Sequence, residues 1–489
     1  MRPLSASLLN NFLDCRHRAA LWAQRVPTPE EIDPNLALLQ RRGFEHEAKV
    51  LAHLEQEFGP ATRITTASGP EAAGEATKAA VLRGDRLIYQ AALRSGNWIG
   101  YPDFLVLRPQ PNGEIGYQPE DAKLAHAAKE GHGRQLAVYA DLMAELFGER
   151  PSRGVIHGGI GPILFDLDAI GPDVRASQAQ LEQFLLDLPT TQSARVKACG
   201  QCPYLSRCES EWRAADSPVF VAGIRADQIS SLADAGVVTM SDLARIDPSE
   251  AVIPGISDGA LARLIQQARL QKIGGVEVAL LAPLPGKGFD ALPPPDRGDL
   301  SFDMEGDPHY PGGLEYLFGL WGAVGDQTEQ GFLPLWAHDR AAEKAQFETL
   351  IDLLTHQFQR FPNAHVYHYA SYEVTALKRL SIQFETRQDA LSLLLAAGRF
   401  IDLYRIVKQA LAAPTESYSL KALEKLYWQN RTGAVTSAGG SIVAYEAWRE
   451  TPDEGILTAI ADYNRDDVLS TMALRDWLEA LRPRQGSAC

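Results

Sequence analysis

The chain has 489 residues, 45% hydrophobic and 22% charged, with 47 Lys and Arg against 62 Asp and Glu for a net charge of −15. This composition excludes a mostly disordered chain, and the length predicts roughly three domains. The negative sign excludes a protein that coats nucleic acid through its whole surface, leaving local patches, helix N-termini or metal ions as the means of contact.

Every apolar run is broken well short of the ~20 residues of a membrane helix. The opening MRPLSASLLNNFLDCRHR lacks the apolar core and cleavage site of a secretory signal, so a soluble cytoplasmic protein is expected. Five cysteines in a chain this long exclude a disulfide scaffold. Cys15 stands alone, Cys199, Cys202 and Cys208 cluster, and Cys489 is the last residue.

In chain order, SASLLNNFLDCRHRAALW predicts a first helix carrying Cys15, and GFEHEAKVLAHLEQEF an amphipathic helix carrying His46. NWIGYPDFLVLRP and GEIGYQPEDAKLA read as strands bounded by Gly, Pro and Asn. In the second, Asp121 and Lys123 share a face and Glu120 points opposite, while Asp103 falls in the first. Two carboxylates and a lysine so placed can hold a divalent cation and activate water against a phosphodiester. RQLAVYADLMAELF then sets Gln135 and Tyr139 one helical turn apart.

Taken singly, each feature has a structural explanation, since helix histidines usually pack and Asp-x-Lys is common by chance. The ordered set resembles the RecB-like branch of the PD-(D/E)XK nucleases over roughly residues 1–213. By that resemblance His46, Asp103 and Asp121 would bind metal, Lys123 would be catalytic, and Gln135 and Tyr139 would contact DNA or brace the site. The first helix looks like that of iron–sulfur members of this branch.

CGQCPYLSRC has the spacing C-x2-C-x5-C. Three thiolates leave a four-ligand site short by one, and Cys15 is the remaining internal candidate, closing a loop of more than 180 residues. Zinc and a [4Fe–4S] cluster both accept four thiolates, and spacing does not separate them. The resemblance to AddB-type members implies the [4Fe–4S] cluster on Cys15, Cys199, Cys202 and Cys208, with structural Zn2+ as the alternative.

Residues 220–275 predict a compact helical stretch with five Lys and Arg against six Asp and Glu between 221 and 275. It looks like helix-hairpin-helix units with Pro254-Gly255-Ile256 as a hairpin offering amides to a phosphate, and Arg263 and Arg269 as further contacts. A helical spacer is the equal alternative. Leu281 to Leu300, with five prolines, reads as a linker.

Beyond it, LSFDMEGDP predicts a strand with Asp303 and Glu305 on one face, and NAHVYHYASYEVTALKRL a strand leading into a helix with Glu373 near its start. ILTAIADYNRDDVLSTMALRDWL is strongly helical, with Tyr463 and Asp467 at i and i+4 and Asp466 rotated away. Four converging carboxylates require divalent cations, two of which about 4 Å apart would clamp a phosphodiester while Tyr463 orients water. Asp402 is expected to cap the following helix and is left out of the site.

This order resembles the tyrosine-bearing DEDD exonucleases of the DnaQ-like, RNase H-like group over roughly 298–485. It implies Asp303, Glu305, Glu373 and Asp467 as metal ligands and Tyr463 as catalytic, with Glu373 where the group usually has Asp. The layout as a whole is similar to RecB-like nucleases carrying a YprB-type domain. The expected fold is α/β multidomain: a PD-(D/E)XK nuclease fold at 1–215, a small all-α helix-hairpin-helix segment at 216–279, a Pro-rich linker at 280–299 and an RNase H-like α/β domain at 300–489.

The function this implies is a DNA exonuclease of repair or recombination that uses Mg2+ or Mn2+ at two centres. Its partner would be single-stranded DNA, with a helicase supplying any unwinding, because no G-x-x-x-x-G-K-[ST] occurs. The competing expectations are a 3′–5′ exoribonuclease acting through the DEDD domain, and a weakly active DNA-binding scaffold for a helicase.

Overall fold

The computed structural model describes residues 2–28, 34–110, 113–124, 127–159, 161–325, 327–428, 430–431 and 433–483, so Cys489 lies outside the described residues. The architecture is mixed α/β, and the chain divides into two compact units, Met1–Glu211 and Trp212–Cys489. No helix among the described residues is long and apolar enough to cross a membrane.

In the first unit, α1 (Ala6–Asp14) and α2 (Arg16–Ala23) stand where one helix is expected. Cys15 interrupts them in extended conformation, and its sulfur accepts the Arg18 amide at 3.4 Å. A sulfur so used ends one helix and caps the next, which a helical hydrophobic pattern alone does not disclose. α3 (Pro34–Phe58) and α4 (Pro70–Arg83) follow.

A six-stranded sheet then runs in sequence order: β1 (Thr62–Arg63), β2 (Leu87–Tyr89), β3 (Phe104–Pro109), β4 (Ile115–Ala122), β5 (Arg153–Gly158) and β6 (Gly161–Asp166). β3 and β4 pair antiparallel, while β4 and β5 are parallel across α5 (Glu130–Phe147). α3 covers one face through Val50, Leu51 and Leu54 on Phe104 and Val106. The other face, with Leu105 and Ile156, packs on Leu136, Val138 and Tyr139 of α5. Gly100 meets the ring of Tyr139 so closely that a Cβ there would collide with it. α6 (Leu167–Asp187) and α7 (Leu205–Ala214) close this part of the chain.

In the second unit α8 (Ala226–Asp234), α9 (Met240–Arg245) and α10 (Asp258–Ile273) occupy the expected helical stretch. The Pro-rich segment is not a free spacer: Leu292 is 1% exposed and packs with Leu403, Val407 and Leu474. Extended, donor-poor backbone can lie on a core as well as span a gap.

The second sheet has the order β9-β8-β7-β10-β11, from β7 (Leu300–Asp307), β8 (Leu314–Gly322), β9 (Gly331–Trp336), β10 (Val366–His368) and β11 (Phe400–Asp402). β7 to β9 form an antiparallel meander; β10 and β11 join parallel to β7. α11 (Arg340–Arg360), α12 (Tyr372–Gln383) and α13 (Gln388–Ala396) lie between them in sequence, and α14 (Leu403–Ala410), α15 (Leu420–Tyr427), α16 (Ala438–Glu450) and α17 (Glu454–Leu481) follow. Asp402 caps α14 by accepting the Arg405 amide, and it also accepts the Ala370 amide.

α17 is anchored to the sheet by polar contacts as well as packing. Ser301 Oγ donates to the Val468 carbonyl at 2.7 Å, and Arg475 donates to Asp299 at 2.5 Å, both side chains being more than 90% buried. Asp299 also accepts the amides of His365 and Asp296. Removing one member of a buried ion pair leaves the other uncompensated. Arg475→Leu is therefore expected to lower stability by about 3–5 kcal/mol, read from the denaturant midpoint, and an unchanged midpoint would contradict the assignment.

Candidate active site

A group of buried carboxyls lies in the second unit. β7 carries Asp303 and Glu305 on one face, two residues apart, and α17 brings Asp467 against them. One oxygen from each of the three falls within 4.8 Å of the others. Three hard oxygen donors in that space suit Mg2+ or Mn2+.

Burial and the neighbouring Asp467 push the Glu305 carboxyl up to about 8, and burial together with Asp467, Glu305 and Glu373 holds Asp303 well above the carboxylate range. Asp467 is also raised by burial, though the Arg431 guanidinium opposes the shift.

Glu373, in the first turn of α12, acts on Asp303 electrostatically but lies outside that trio. It is 3% exposed; its Oε2 makes no hydrogen bond and faces His368 Nδ1 at 3.4 Å. An orphaned buried carboxylate oxygen beside the trio is an available ligand atom.

Several residues not singled out in the sequence complete the pocket. Asn464 donates to Asp303 Oδ2 at 2.7 Å, and its own carbonyl oxygen sits over Gly319, where any Cβ would collide with it. Gly319 pairs with Asp303 across β7 and β8, so the missing side chain makes room for the amide that holds the carboxylate. Tyr463 accepts a hydrogen bond from Lys421 Nζ at 2.9 Å, and Lys421 also donates to the Thr436 carbonyl. Arg431 makes a bidentate pair with Glu424 and reaches Asp467. Burial raises the Tyr463 phenol far above its ordinary value, so it stays protonated. Asn464 was discoverable from sequence, being three residues before Asp467 on one helical face; Lys421 and Arg431 sit in no recognisable pattern.

The first unit gathers a second group. Asp103, just before β3, and Asp121 at the end of β4 exchange bonds: the Asp103 amide donates to Asp121 Oδ1 at 2.9 Å, and the Ala122 amide to Asp103 Oδ2 at 2.8 Å. Lys123 Nζ stands 3.1 Å from Asp121 and 3.9 Å from Asp103. Gln135 donates to Asp121 Oδ2 at 2.8 Å and lies 2.6 Å from the Tyr139 hydroxyl, which donates to the Tyr101 carbonyl. Burial, then the Asp121 charge, push Asp103 up to about 8 against the opposing field of Lys123. Glu47, next to His46 on α3, adds its charge to Asp103, Asp121 and Lys123.

His46 Nε2 donates to the His157 carbonyl at 2.7 Å, which turns Nδ1 into the free lone pair. Among the described residues His46, Asp103 and Asp121 do not draw ligand atoms within 4.8 Å as the second-unit trio does. Glu120 points the other way, paired with Arg108 and His157 at 2.7 and 2.6 Å.

Cys15, Cys199, Cys202 and Cys208 line one pocket with Val196 and Tyr204. Burial, Glu211 and the other three thiols push Cys208 up to about 11. His17 Nε2, buried and without a hydrogen bond, comes within 4.8 Å of Cys208 and Glu211.

With this geometry established, residues 300–479 match the family model of the RNase_H superfamily. No curated protein matches the chain. The second unit thus carries an RNase H-like domain, and proteins of that superfamily are metal-dependent nucleases. The matched residues take in Asp303, Glu305, Glu373, Tyr463 and Asp467.

A carboxyl whose folded value is raised binds a proton that the unfolded chain releases, so between about pH 4.5 and 8 the metal-free fold loses stability as pH rises. The melting temperature of the EDTA-treated protein should fall from about pH 5 to about pH 8, and added Mg2+ should raise it more at the upper end. Glu305→Gln should flatten part of both responses; identical pH curves for variant and parent would reject the linkage.

Proposed function

We propose that the chain is a metal-dependent DNA nuclease that hydrolyses phosphodiester bonds as an exonuclease in repair or recombination, with two hydrolytic centres. The observation that carries this reading is the meeting of Asp303, Glu305 and Asp467, up to 164 positions apart in sequence, in one buried pocket of an RNase H-like domain. A divalent cation bound there supplies the charge that offsets the negative charge growing on the phosphate oxygens.

The residues of the chain do the rest. Asn464 fixes the orientation of Asp303, and Lys421 holds the Tyr463 oxygen, leaving the phenol proton free to position a water beside the phosphate. Glu373 is the fourth ligand in this reading, supported by its orphaned oxygen.

In the first unit the PD-(D/E)XK reading is supported by the Asp103–Asp121–Lys123 contact. Gln135 and Tyr139 brace Asp121, His46 offers Nδ1 toward a cation, and the Lys123 ammonium faces both carboxylates where charge would develop. α8 to α10 serve as a helix-hairpin-helix segment beside the RNase H-like domain, and single-stranded DNA delivered by a helicase is the substrate.

Labelled single-stranded DNA should be degraded with Mg2+ or Mn2+. Losing a supporting contact at a metal site typically costs 10–100-fold, so Asp303→Ala, which removes a ligand, should cost about 100-fold or more at its centre. Lys123→Ala should abolish the remainder, and unchanged degradation by the double variant would reject the proposal. A matched RNA oligonucleotide in competition decides between DNA and RNA, and binding without turnover in every divalent metal would leave a scaffold.

The four cysteines hold a [4Fe–4S] cluster in this reading. A tetrahedral zinc with Zn–S near 2.3 Å needs all four sulfurs about 3.8 Å apart, whereas among the described residues no three of them lie within 4.8 Å. That spacing favours the larger inorganic core. Anaerobically purified protein should be brown and iron-rich, and Cys15→Ser should lose iron and melt lower. Stoichiometric zinc with no visible absorbance would overturn the assignment.

A further inference from the structure

The sheet of the first unit has a second functional-looking face, the one on which Gln118 and Glu120 alternate away from Asp121. Beyond the part covered by α3, a cavity of about 630 Å3 opens between α3 and strands β4 to β6. This is within the range that holds a small organic ligand. Val50, Leu54, Val155 and Pro162 give it apolar walls.

Three observations define what would fit. Gln118 lines the cavity, is 5% exposed as a residue, and its side-chain amide makes no hydrogen bond to another described residue. Its amide is open to the cavity, where it offers a ligand a donor and an acceptor side by side. Lys49 and Arg153 stand exposed on the lining and form no ion pair among the described residues, whereas Arg108 is committed to Glu57 and Glu120. In a chain of net charge −15, a lining with free cations selects an anion. Finally, the cavity adjoins the candidate hydrolytic centre. His46 lines it, and the His157 carbonyl that accepts from His46 also accepts the Lys123 amide at 3.0 Å.

We propose that this cavity receives one nucleotide of a single-stranded nucleic acid presented to the Asp103–Asp121–Lys123 centre. The base lies between the apolar walls with its hydrogen-bonding edge on the Gln118 amide, and Lys49 and Arg153 take the flanking phosphates. An amide paired with a base edge discriminates among bases, while lysine and arginine on phosphates do not. The inference rests on the nuclease reading of that centre and adds to it a place where the strand is gripped and sensed.

The test is fluorescence anisotropy of labelled homopolymeric oligonucleotides with the full chain in EDTA, where no turnover occurs, across a salt series. Lys49→Glu and Arg153→Glu, both exposed and so compatible with folding, should each weaken binding several-fold and lower the slope of log K against log salt by about 0.7. Gln118→Leu should change the ranking of the homopolymers and leave the salt slope as it was.

If the parent binds the strand and none of the three variants alters affinity, slope or ranking, the cavity is not the strand site and the nuclease reading stands. If the parent binds no strand in EDTA, the cavity proposal falls, and degradation of the same oligonucleotide with Mg2+ decides the nuclease reading separately. Displacement of the oligonucleotide by nucleoside monophosphate at equal nucleotide concentration would make this a free-nucleotide site and overturn the strand assignment.

Discussion

Three carboxylates drawn from a strand and a helix far along the chain repel one another in a pocket where water does little to screen them, and most of what surrounds them answers that repulsion. Burial and mutual charge keep Glu305 and Asp303 protonated well into the range where an exposed carboxyl is ionised. Asn464 and Ser441 oppose the upward shift of Glu305, and Arg431 leans on Asp467. None of these neighbours neutralises the whole set. A cation does, which is why the fold can keep an arrangement that is costly by itself. The strands need only hold the acids in place; β7 at the middle of a five-stranded sheet and a 28-residue helix anchored through Ser301 and Arg475 do so.

The first unit solves a similar problem with different parts. Asp121 accepts the Asp103 amide and Asp103 accepts the Ala122 amide, so side chains tie β3 and β4 together where the strands stop. Lys123 supplies a fixed positive charge between the acids. The two pockets accordingly differ in what a cation meets: in the second unit carboxylates whose repulsion it relieves, in the first a resident ammonium and carboxylates that already accept backbone amides.

Much of this was legible in the sequence because it depends on short-range periodicity. Alternation in LSFDMEGDP places Asp303 and Glu305 together, and the i, i+4 spacing places Tyr463 over Asp467 on one helix. What escaped depends on contacts between distant segments. Lys421 and Arg431 reach the site from α15 and the residues after it, with no periodic mark, and Gly319 matters only because Asn464 crosses above it. Glu373 was legible as a helix-start carboxylate, but its position just outside the trio was not, since a strand-to-helix turn fixes direction only loosely. The break at Cys15 and the burial of Leu292 have the same origin. A sulfur cap and a packed proline-rich segment are decided by partners, not by local preference.

The acidic balance of the chain bears on how such pockets could meet a polyanion. At physiological ionic strength the Debye length is about 8 Å, so charges scattered over an exterior of this size are mostly screened from any one groove. What a strand senses is the local lining. At the first-unit cavity that lining carries Lys49 and Arg153, while its acid Glu57 is already tied to Arg108. In the second-unit pocket the lining is acidic, and a phosphate is attracted only after a cation has arrived. Cation and strand binding are therefore coupled there by charge alone: each improves the site for the other, and removing protons from Glu305 and Asp303 strengthens the first step. In the first-unit cavity, whose cations are side chains, the same coupling is not required.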